Sequence, residues 1–398
     1  MRQLAVRLLV AAVLAATALL AVAGSLSGPA RWSPDGLFYQ ARVYEIRDGL
    51  SQRDALSKAF EGPLGARLRA IDPDRSGNPD WVAYNAKFYE RRVTVPLAAA
   101  ALTPAAGDRA ILDISLAGYV VAVLALYWLL LLLRFRLVVA AGVTLATIFL
   151  PALTHHAQFP LTDSWGLALE IIAFAGAVLA LRRGPRWLAL WVAALVLLSL
   201  TRDSMWIPVL AAVFLAVFQR SRTTLWLAVS GVLAALPAVV AVKVPMRELL
   251  AQMLNGLQPA PDLSWGTIAG RYPGAIVDLL QADGGYVRDG AFYSAFYLLV
   301  GLGLLVVLAR SGNGVPARPA ALLMLGGALA GIAYVLVVPV FSAFRLELVL
   351  VPMAAFGLAL GAERVAASVT APASLTPPKR KSGPVPRVAV DDLASDAS

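Results

Sequence analysis

The sequence predicts an all-α polytopic membrane protein with about ten transmembrane helices, both termini in the cytoplasm and two long external segments. Of its 398 residues, 59% are hydrophobic and only 15% are charged, whereas soluble domains carry about 25% charged residues. Long apolar runs recur along the chain, and Lys and Arg cluster in alternate short connections. These observations exclude a water-soluble globular protein.

Ten apolar runs approach the length of about 20 residues that a helix needs to cross a bilayer core. They lie approximately at residues 4–26, 115–133, 137–153, 164–181, 187–200, 205–218, 223–242, 291–309, 320–340 and 346–362. The fifth and sixth runs are short, with about 14 residues that cover only about 21 Å as a helix. The turn between them is therefore expected to lie below the outer membrane surface.

The charges of the short connections predict the orientation, because cationic loops stay on the cytoplasmic side. One face collects 16 of the 34 Lys and Arg residues with only four acids, a net charge of +12, and the other face carries −2. Both termini are thus expected inside the cell. The formal charge of +10 is a topology signal on this interpretation, and nucleic acid is not expected as a partner.

The predicted spans divide the chain into six parts. They are the first transmembrane helix (1–26), an external loop with juxtamembrane helices (27–114), transmembrane helices two to seven (115–242), a second external loop (243–290), transmembrane helices eight to ten (291–362) and a disordered cytoplasmic tail (363–398). In the second loop, Leu and Met residues at helical spacing over 249–257 predict a helix that lies along the membrane surface.

The N-terminus allows a second interpretation. A basic start, an apolar stretch and the small residues Ala21 and Ala23 before Gly24 also resemble a cleavable signal peptide. The apolar stretch is longer than a usual signal peptide core, so we favour an uncleaved first helix.

Arginine outnumbers lysine 29 to 5, and with abundant Ala, Leu and Val this bias indicates a bacterial chain.

Asp35 is the first candidate for chemistry. It lies a few residues beyond the first span, in the aromatic segment 32–39. A carboxylate so close to the outer surface can accept a proton from a bound hydroxyl, as a general base does. The alternative is an Asx-type turn or helix cap after Pro34.

Arg202 and Asp203 lie in the turn between the two short spans. Charges below the membrane surface require water or partners. This position predicts a cavity, open to the outside, that holds both side chains. A local pair between Arg202 and Asp203 with snorkelling is the alternative.

Four further ionisable residues lie at or within spans. Arg345 and Glu347 open the last span, and the planar guanidinium of Arg345 can hold a phosphate bidentately or serve as an interface anchor. Glu170 lies inside the fourth span and must face protein or water. Asp163, at the outer end of that span, is a candidate helix N-cap.

His155 and His156 are the two histidines of the chain. Adjacent residues point to different sides of a helix, so we favour an interfacial histidine pair over a metal site. Mg²⁺ or Mn²⁺, whose carboxylate and water ligands need no histidine, stays open as a cofactor without an assigned ligand set. The chain has no cysteine, which excludes disulfides and thiolate chemistry.

The order of these features resembles the GT-C superfamily of membrane glycosyltransferases, which includes the protein O-mannosyltransferases and the aminoarabinose transferases. The resemblance rests on the first span followed by residues 35–39 and 91–97, on 107–109, 160–163 and 201–203, and on Arg345 with Pro352. The chain departs from the mannosyltransferase pattern in having Asp35-Gly36 where those enzymes have an Asp-Glu pair.

The resemblance implies an inverting transfer of a sugar from a polyprenyl-phosphate-linked donor to a glycan, lipid or protein acceptor on the external face of a bacterial plasma membrane. It implies Asp35 as the general base, Arg345 as the clamp on the donor phosphate, Arg202 as the second choice, and Arg91 and Arg92 as gates. The expected substrate cavity adds Tyr39, Asp163, Asp203, Glu170, Glu347, His155 and His156.

Two other classes of protein remain as alternatives. A transporter or flippase for lipid-linked saccharides would also possess buried charges, but it is expected to show broken helices or related halves. A non-catalytic subunit of an envelope-polysaccharide assembly complex would need no polar cavity.

Overall fold

A computed structural model describes residues 2–27, 31–71, 73–241, 244–255, 258, 263–310, 318–340 and 342–370. Within these ranges the chain forms helices joined by short turns and no β-strand. The prediction of an all-α protein is confirmed for this part of the chain.

The first large connection is a compact helical segment. Its helices are α3 (Pro34–Asp48), α4 (Gln52–Glu61), α5 (Pro63–Ile71), α6 (Pro73–Ser76) and α7 (Pro79–Ala86), and they follow the N-terminal α1 (Arg2–Ala21) and the short α2 (Ala23–Ser27). The Ser51 side chain caps α4 by accepting from the amide of Asp54, a role that serine commonly takes at helix starts. Phe38, Phe60 and Trp81 pack in a core of their own beneath these helices.

The apolar runs form the next group of helices. They are α8 (Thr94–Ala106), α9 (Ala110–Leu132), α10 (Leu137–Ile148), α11 (Pro151–Ala157), α12 (Asp163–Arg183), α13 (Leu188–Ser199), α14 (Trp206–Phe218) and α15 (Arg222–Ala241). The second large connection contains α16 (Met246–Leu254) and α17 (Trp265–Tyr286), and α18 (Phe292–Arg310), α19 (Arg318–Val337) and α20 (Val351–Thr370) complete the described chain.

Six helices in the described residues are long and apolar enough to cross a membrane, or seven if the bent pair α10 and α11, which meet at 62°, forms one span. Three shorter apolar helices lie at Pro185–Ser199, Asp203–Phe218 and Arg222–Leu236. Each of the ten predicted apolar runs overlaps one of these helices. The multi-pass membrane class of the chain follows from this finding.

Two predicted boundaries are corrected. The helix of the second span begins upstream of residue 115, since α8 and α9 are separated only by the short helical turn Gly107–Arg109. The boundary predicted at residue 290, by contrast, coincides with a kink between α17 and α18, where Gly290 has a non-helical φ of 136°. The predicted tail starts too early, because α20 extends to Thr370. The rest of that tail, 371–398, lies outside the described residues.

Helix α12 lies at the centre of the bundle. It packs against α9 on one side and α13 on the other, and most of its side chains are buried. Two glycines make room for the buried Trp191. A Cβ at Gly176 on α12 would lie 2.8 Å from the Trp191 backbone nitrogen, and a Cβ at Gly231 on α15 would lie 3.0 Å from its indole. The N-terminal end of α12 carries Asp163, and α12 also contacts α14.

A close approach of α18 and α20 allows a stability prediction. A Cβ at Gly357 would overlap the backbone oxygen of Gly301, and small residues at such crossings let transmembrane helices pack tightly. We expect Gly357→Ala to destabilise the protein by about 1–3 kcal/mol, measured as a lower thermal midpoint in detergent. The matched control is Gly303→Ala, where a Cβ meets nothing within 4 Å. An equal midpoint for both variants would contradict this packing.

Candidate active site

A cavity of about 850 Å³ lies between the first helical segment and the ends of the helical bundle. One end of its wall is charged and includes Asp35, Arg91, Arg92, Arg202, Asp203 and Arg345. The rest of the lining is largely apolar and is contributed mainly by α14, α16 and α19, with Trp206, Leu210, Leu249, Met253, Ala333 and Val337. The cavity therefore suits a molecule with a polar head and an apolar body.

Asp35 lies in the first turn of α3 with its side chain directed to the charged end. The cap of this helix is Ser33, whose hydroxyl accepts from the amide of Gly36 at 3.2 Å, so the helix-cap alternative for Asp35 is not observed. Asp35 instead accepts a hydrogen bond from the Tyr89 hydroxyl at 2.6 Å and pairs with Arg345.

The protonation state of Asp35 follows from these contacts. Burial alone raises the pKa of the Asp35 carboxyl, but the charges of Arg345 and Arg92 and the hydrogen bonds from Tyr89 and Arg345 outweigh it and hold that pKa below its ordinary value. Asp35 is therefore an anion at neutral pH, which is the form that a general base requires.

Arg345 connects two acids. Its Nε donates to Asp163 Oδ1 at 2.7 Å while Nη1 pairs with Asp35. The turn before it places two non-glycine residues, Ala343 and Phe344, at positive φ of 52° and 60°. Such conformations cost free energy and occur disproportionately at functional sites. The inward side chain excludes the interface-anchor alternative for Arg345.

Asp163 begins α12 and is almost fully buried, with 1% of its side chain exposed. Its Oδ1 pairs with both Arg202 and Arg345. The helix N-cap predicted for Asp163 is wrong, because Thr162 occupies that position and the carboxylate is directed to the two guanidinium groups. Asp163 lies behind the cavity wall and orients Arg202 and Arg345, which line the cavity.

Arg202 and Asp203 turn to different partners. Arg202 pairs with Asp163, whereas Asp203 pairs with Arg91 and, at 3.0 Å, with Arg92. The local pair between Arg202 and Asp203 is therefore not formed, and both side chains line the cavity as the first alternative predicts.

Tyr39 lies behind the wall at the charged end of the cavity and contacts Arg92. It is fully buried, and its hydroxyl accepts from Arg92 Nη1 at 2.8 Å and lies 3.1 Å from the Thr162 hydroxyl. Tyr39 thus fixes Arg92 without lining the cavity itself.

These ionisable residues form one group, which we call the charged cluster: Asp35, Arg91, Arg92, Asp163, Arg202, Asp203 and Arg345. Four guanidinium groups face three carboxylates, so the cluster carries a net charge of +1. All three carboxylates are engaged by arginine. This donor set fits an anion such as a phosphate and does not fit Mg²⁺ or Mn²⁺, and the described residues contain no group of three or more His, Asp or Glu placed to hold a metal ion.

His155 and His156 both line the cavity, as expected. Their rings meet edge to face at 5.0 Å, and His156 Nε2 lies 3.0 Å from the Ala343 oxygen in the turn before Arg345. This geometry agrees with a histidine pair that supports the wall of the cavity.

The predicted cavity positions of Glu170 and Glu347 are corrected. Glu170 is fully buried within α12 and does not line the cavity. Glu347 is 7% exposed and hydrogen-bonds with Asp283 of α17, also away from the cavity. Both positions were inferred from depth in the membrane, which does not determine the direction in which a helical side chain points.

Sequence reasoning missed Tyr89 and the contacts that close the cavity. Tyr89 lies in the turn after α7, two residues before Arg91, and no spacing rule relates it to Asp35. An aromatic-rich stretch next to a basic pair was the available signal. The partnership itself arises from the tertiary packing of α3 against that turn.

Helix α16 covers the cavity rather than simply presenting its apolar face to a membrane. Met246, Leu249 and Met253 line the cavity. On the neighbouring side of the helix, Glu248 pairs with Lys87 and Gln252 donates to Asn85. The two large connections of the chain are thus joined across the cavity by an ion pair and a hydrogen bond.

We expect this closure to depend on the Lys87–Glu248 pair, whose side chains are 29% and 16% exposed. Lys87→Glu places two anions together and should increase the rate at which an arginine-specific protease cleaves after the exposed Arg247. The exchanged variant Lys87→Glu/Glu248→Lys should restore the slow cleavage. Equal cleavage of all three proteins would show that the pair does not hold α16.

No protein-family model matches the chain, and no curated protein is significantly similar to it. Its function must therefore be inferred from the cavity and the charged cluster.

Proposed function

We propose that the protein is an inverting glycosyltransferase that moves a sugar from a polyprenyl-phosphate-linked donor to an acceptor on the external face of a bacterial plasma membrane. The observation that carries the proposal is the Asp35–Arg345 pair at the charged end of a cavity whose remaining lining is largely apolar. One residue of this pair suits the acceptor hydroxyl, and the other suits the donor phosphate.

The proposed reaction has one displacement step. Asp35 takes the proton of the acceptor hydroxyl, and the acceptor oxygen forms a bond to the anomeric carbon of the sugar. The bond from that carbon to the phosphate oxygen breaks, and its electron pair stays on the polyprenyl phosphate. Arg345 and Arg202 stabilise this anion.

A single carboxylic acid is sufficient for this chemistry. An inverting glycosidase needs a second acid to protonate a poor leaving group, whereas a phosphate leaves as a stable anion. The reaction is therefore compatible with Asp35-Gly36 in place of an Asp-Glu pair. The remaining acids of the charged cluster, Asp163 and Asp203, are occupied with orienting arginines.

The proposal includes a topology of ten spans with both termini inside. The six long helices, the bent pair and the three shorter apolar helices make up the ten. The shorter helices α13 and α14 meet at the turn that carries Arg202, so that turn lies within the membrane thickness and the cavity opens outward. The +12 and −2 charge distribution supports this orientation.

A transporter of lipid-linked saccharides is the second candidate. The broken helix formed by α10 and α11, with its bend of 62°, is a feature that transporters use near their substrate sites. A non-catalytic assembly subunit is less consistent with a cluster of seven ionisable residues at a cavity.

The proposal is tested with purified protein in proteoliposomes that contain radiolabelled polyprenyl-phospho-sugars and membrane extracts as acceptors. We expect labelled sugar on an acceptor together with free polyprenyl phosphate. Asp35→Asn should prevent transfer, and Asp289→Asn, at an exposed acid that neither belongs to the charged cluster nor lines the cavity, serves as the control. Movement of intact donor between leaflets without release of polyprenyl phosphate would favour the transporter instead.

A further inference from the structure

Tyr89 is held on three sides beside Asp35. Its ring stacks on Phe38 with centroids 4.5 Å apart and an interplanar angle of 12°. It meets the ring of Tyr39 edge to face at 5.3 Å, and the guanidinium of Arg92 lies 5.3 Å from its centroid. These contacts fix the direction of the hydroxyl, which donates to Asp35 Oδ1 at 2.6 Å.

The two oxygens of Asp35 are therefore not equivalent. Oδ1 accepts from Tyr89, and Oδ2 pairs with Arg345 on the side of the charged cluster. A donor phosphate that binds Arg345 competes for the partner of Oδ2, whereas nothing in that exchange disturbs the hydrogen bond at Oδ1. Oδ2 is thus the oxygen that becomes available to an acceptor proton.

We propose that Tyr89 is a positioning residue that holds Asp35 through Oδ1 and presents Oδ2 to the acceptor hydroxyl. This inference rests on the proposed function of Asp35 as the general base. Packing alone does not explain the hydroxyl, because a phenylalanine ring would make the same contacts with Phe38, Tyr39 and Arg92. The hydroxyl adds one interaction, and that interaction is with the base.

Tyr89→Phe tests the role, because it removes the hydroxyl and keeps the ring. A hydrogen bond to a carboxylate favours its charged form, so its loss raises the pKa of Asp35. The acidic limb, the part of the pH–rate profile in which transfer falls as Asp35 becomes protonated, should move to higher pH by about one unit. At neutral pH, kcat should fall by about tenfold because Asp35 is less well oriented.

A second substitution is expected to shift the acidic limb in the opposite direction. Incorporation of 3-fluorotyrosine at position 89 lowers the pKa of the phenol and strengthens its hydrogen bond to Asp35. The acidic limb should then move to lower pH. Tyr119→Phe is the matched control, since it removes a buried hydroxyl that bonds to the Ile148 oxygen in the bundle and should leave the limb in place.

The outcomes separate this inference from the proposed function. An acidic limb that stays unchanged in both Tyr89 variants, with Asp35→Asn inactive, overturns the role of Tyr89 alone. Full transfer by Asp35→Asn overturns Asp35 as the base, and the proposed function with it. Opposite shifts in the two Tyr89 variants support the positioning role, since a purely structural loss would lower the rate equally at every pH.

Discussion

Replacing Asp35 by asparagine is expected to abolish sugar transfer and at the same time to tighten the binding of the lipid-phosphate donor. General-base catalysis contributes about 10²–10⁴-fold to a rate, so kcat should fall by that factor. The binding effect has a different origin. Arg345 is held by Asp35 in this structure, and a donor phosphate must displace that carboxylate to reach the guanidinium.

The predicted tightening is several-fold to about tenfold, because removal of one competing charge contact changes the binding free energy by about 1 kcal/mol. It is measured by equilibrium binding of a fluorescent polyprenyl phosphate to the detergent-solubilised protein. The matched control is Asp203→Asn, which also removes one negative charge from the charged cluster. Asp203 pairs with Arg91 and Arg92 and not with Arg345. If both variants bound the donor equally more tightly, the effect would come from the changed net charge of the charged cluster. Competition between Asp35 and the phosphate for Arg345 would then be contradicted.

Arg345→Ala has the second large expected effect. Charge-assisted hydrogen bonds contribute about 1.5–3 kcal/mol each, so loss of the guanidinium should weaken donor binding by about 10–100-fold. Arg345→Lys should recover only part of the affinity, because a lysine cannot form a bidentate contact with a phosphate.

The fold should tolerate this change. Asp163 keeps Arg202 as a partner and Asp35 keeps Tyr89, so the two acids are not left without contacts. Arg136→Ala, at an exposed pair with Glu363, is the control for the loss of a surface arginine. A donor affinity equal to that of the wild type in Arg345→Ala would remove Arg345 from the phosphate site.

The residues gathered at the cavity were largely predictable, because their positions obey a simple physical rule. Charges are costly in a membrane, and Asp35, Arg202, Asp203 and Arg345 all lie where the apolar runs end. The shortness of the fifth and sixth runs predicted that the turn with Arg202 lies at a cavity, and Arg202 lines one. Those features are local in the sequence and need no knowledge of packing.

The partners of these residues were not predictable in the same way. Asp35 contacts Tyr89 and Arg345, which lie 54 and 310 residues away in the sequence. The hydrophobic periodicity of the sequence contains no information about such distant pairs. Glu170 and Glu347 show the opposite failure, since each lies at a plausible depth but faces another part of the bundle. Helix α16 was recognised as amphipathic, but the surface that its apolar side covers depends on Lys87 and Asn85 in a distant segment.

The most direct test of the account is a cryo-electron microscopy structure of the wild-type protein with bound polyprenyl phosphate, the product of the proposed reaction. We predict that a phosphate oxygen lies about 3 Å from the Arg345 guanidinium, that Asp35 no longer pairs with Arg345, and that the Tyr89 hydroxyl still donates to Asp35. The prenyl chain should follow the apolar wall of α14 and α19. A phosphate bound elsewhere, with the Asp35–Arg345 pair intact, would contradict the central claim.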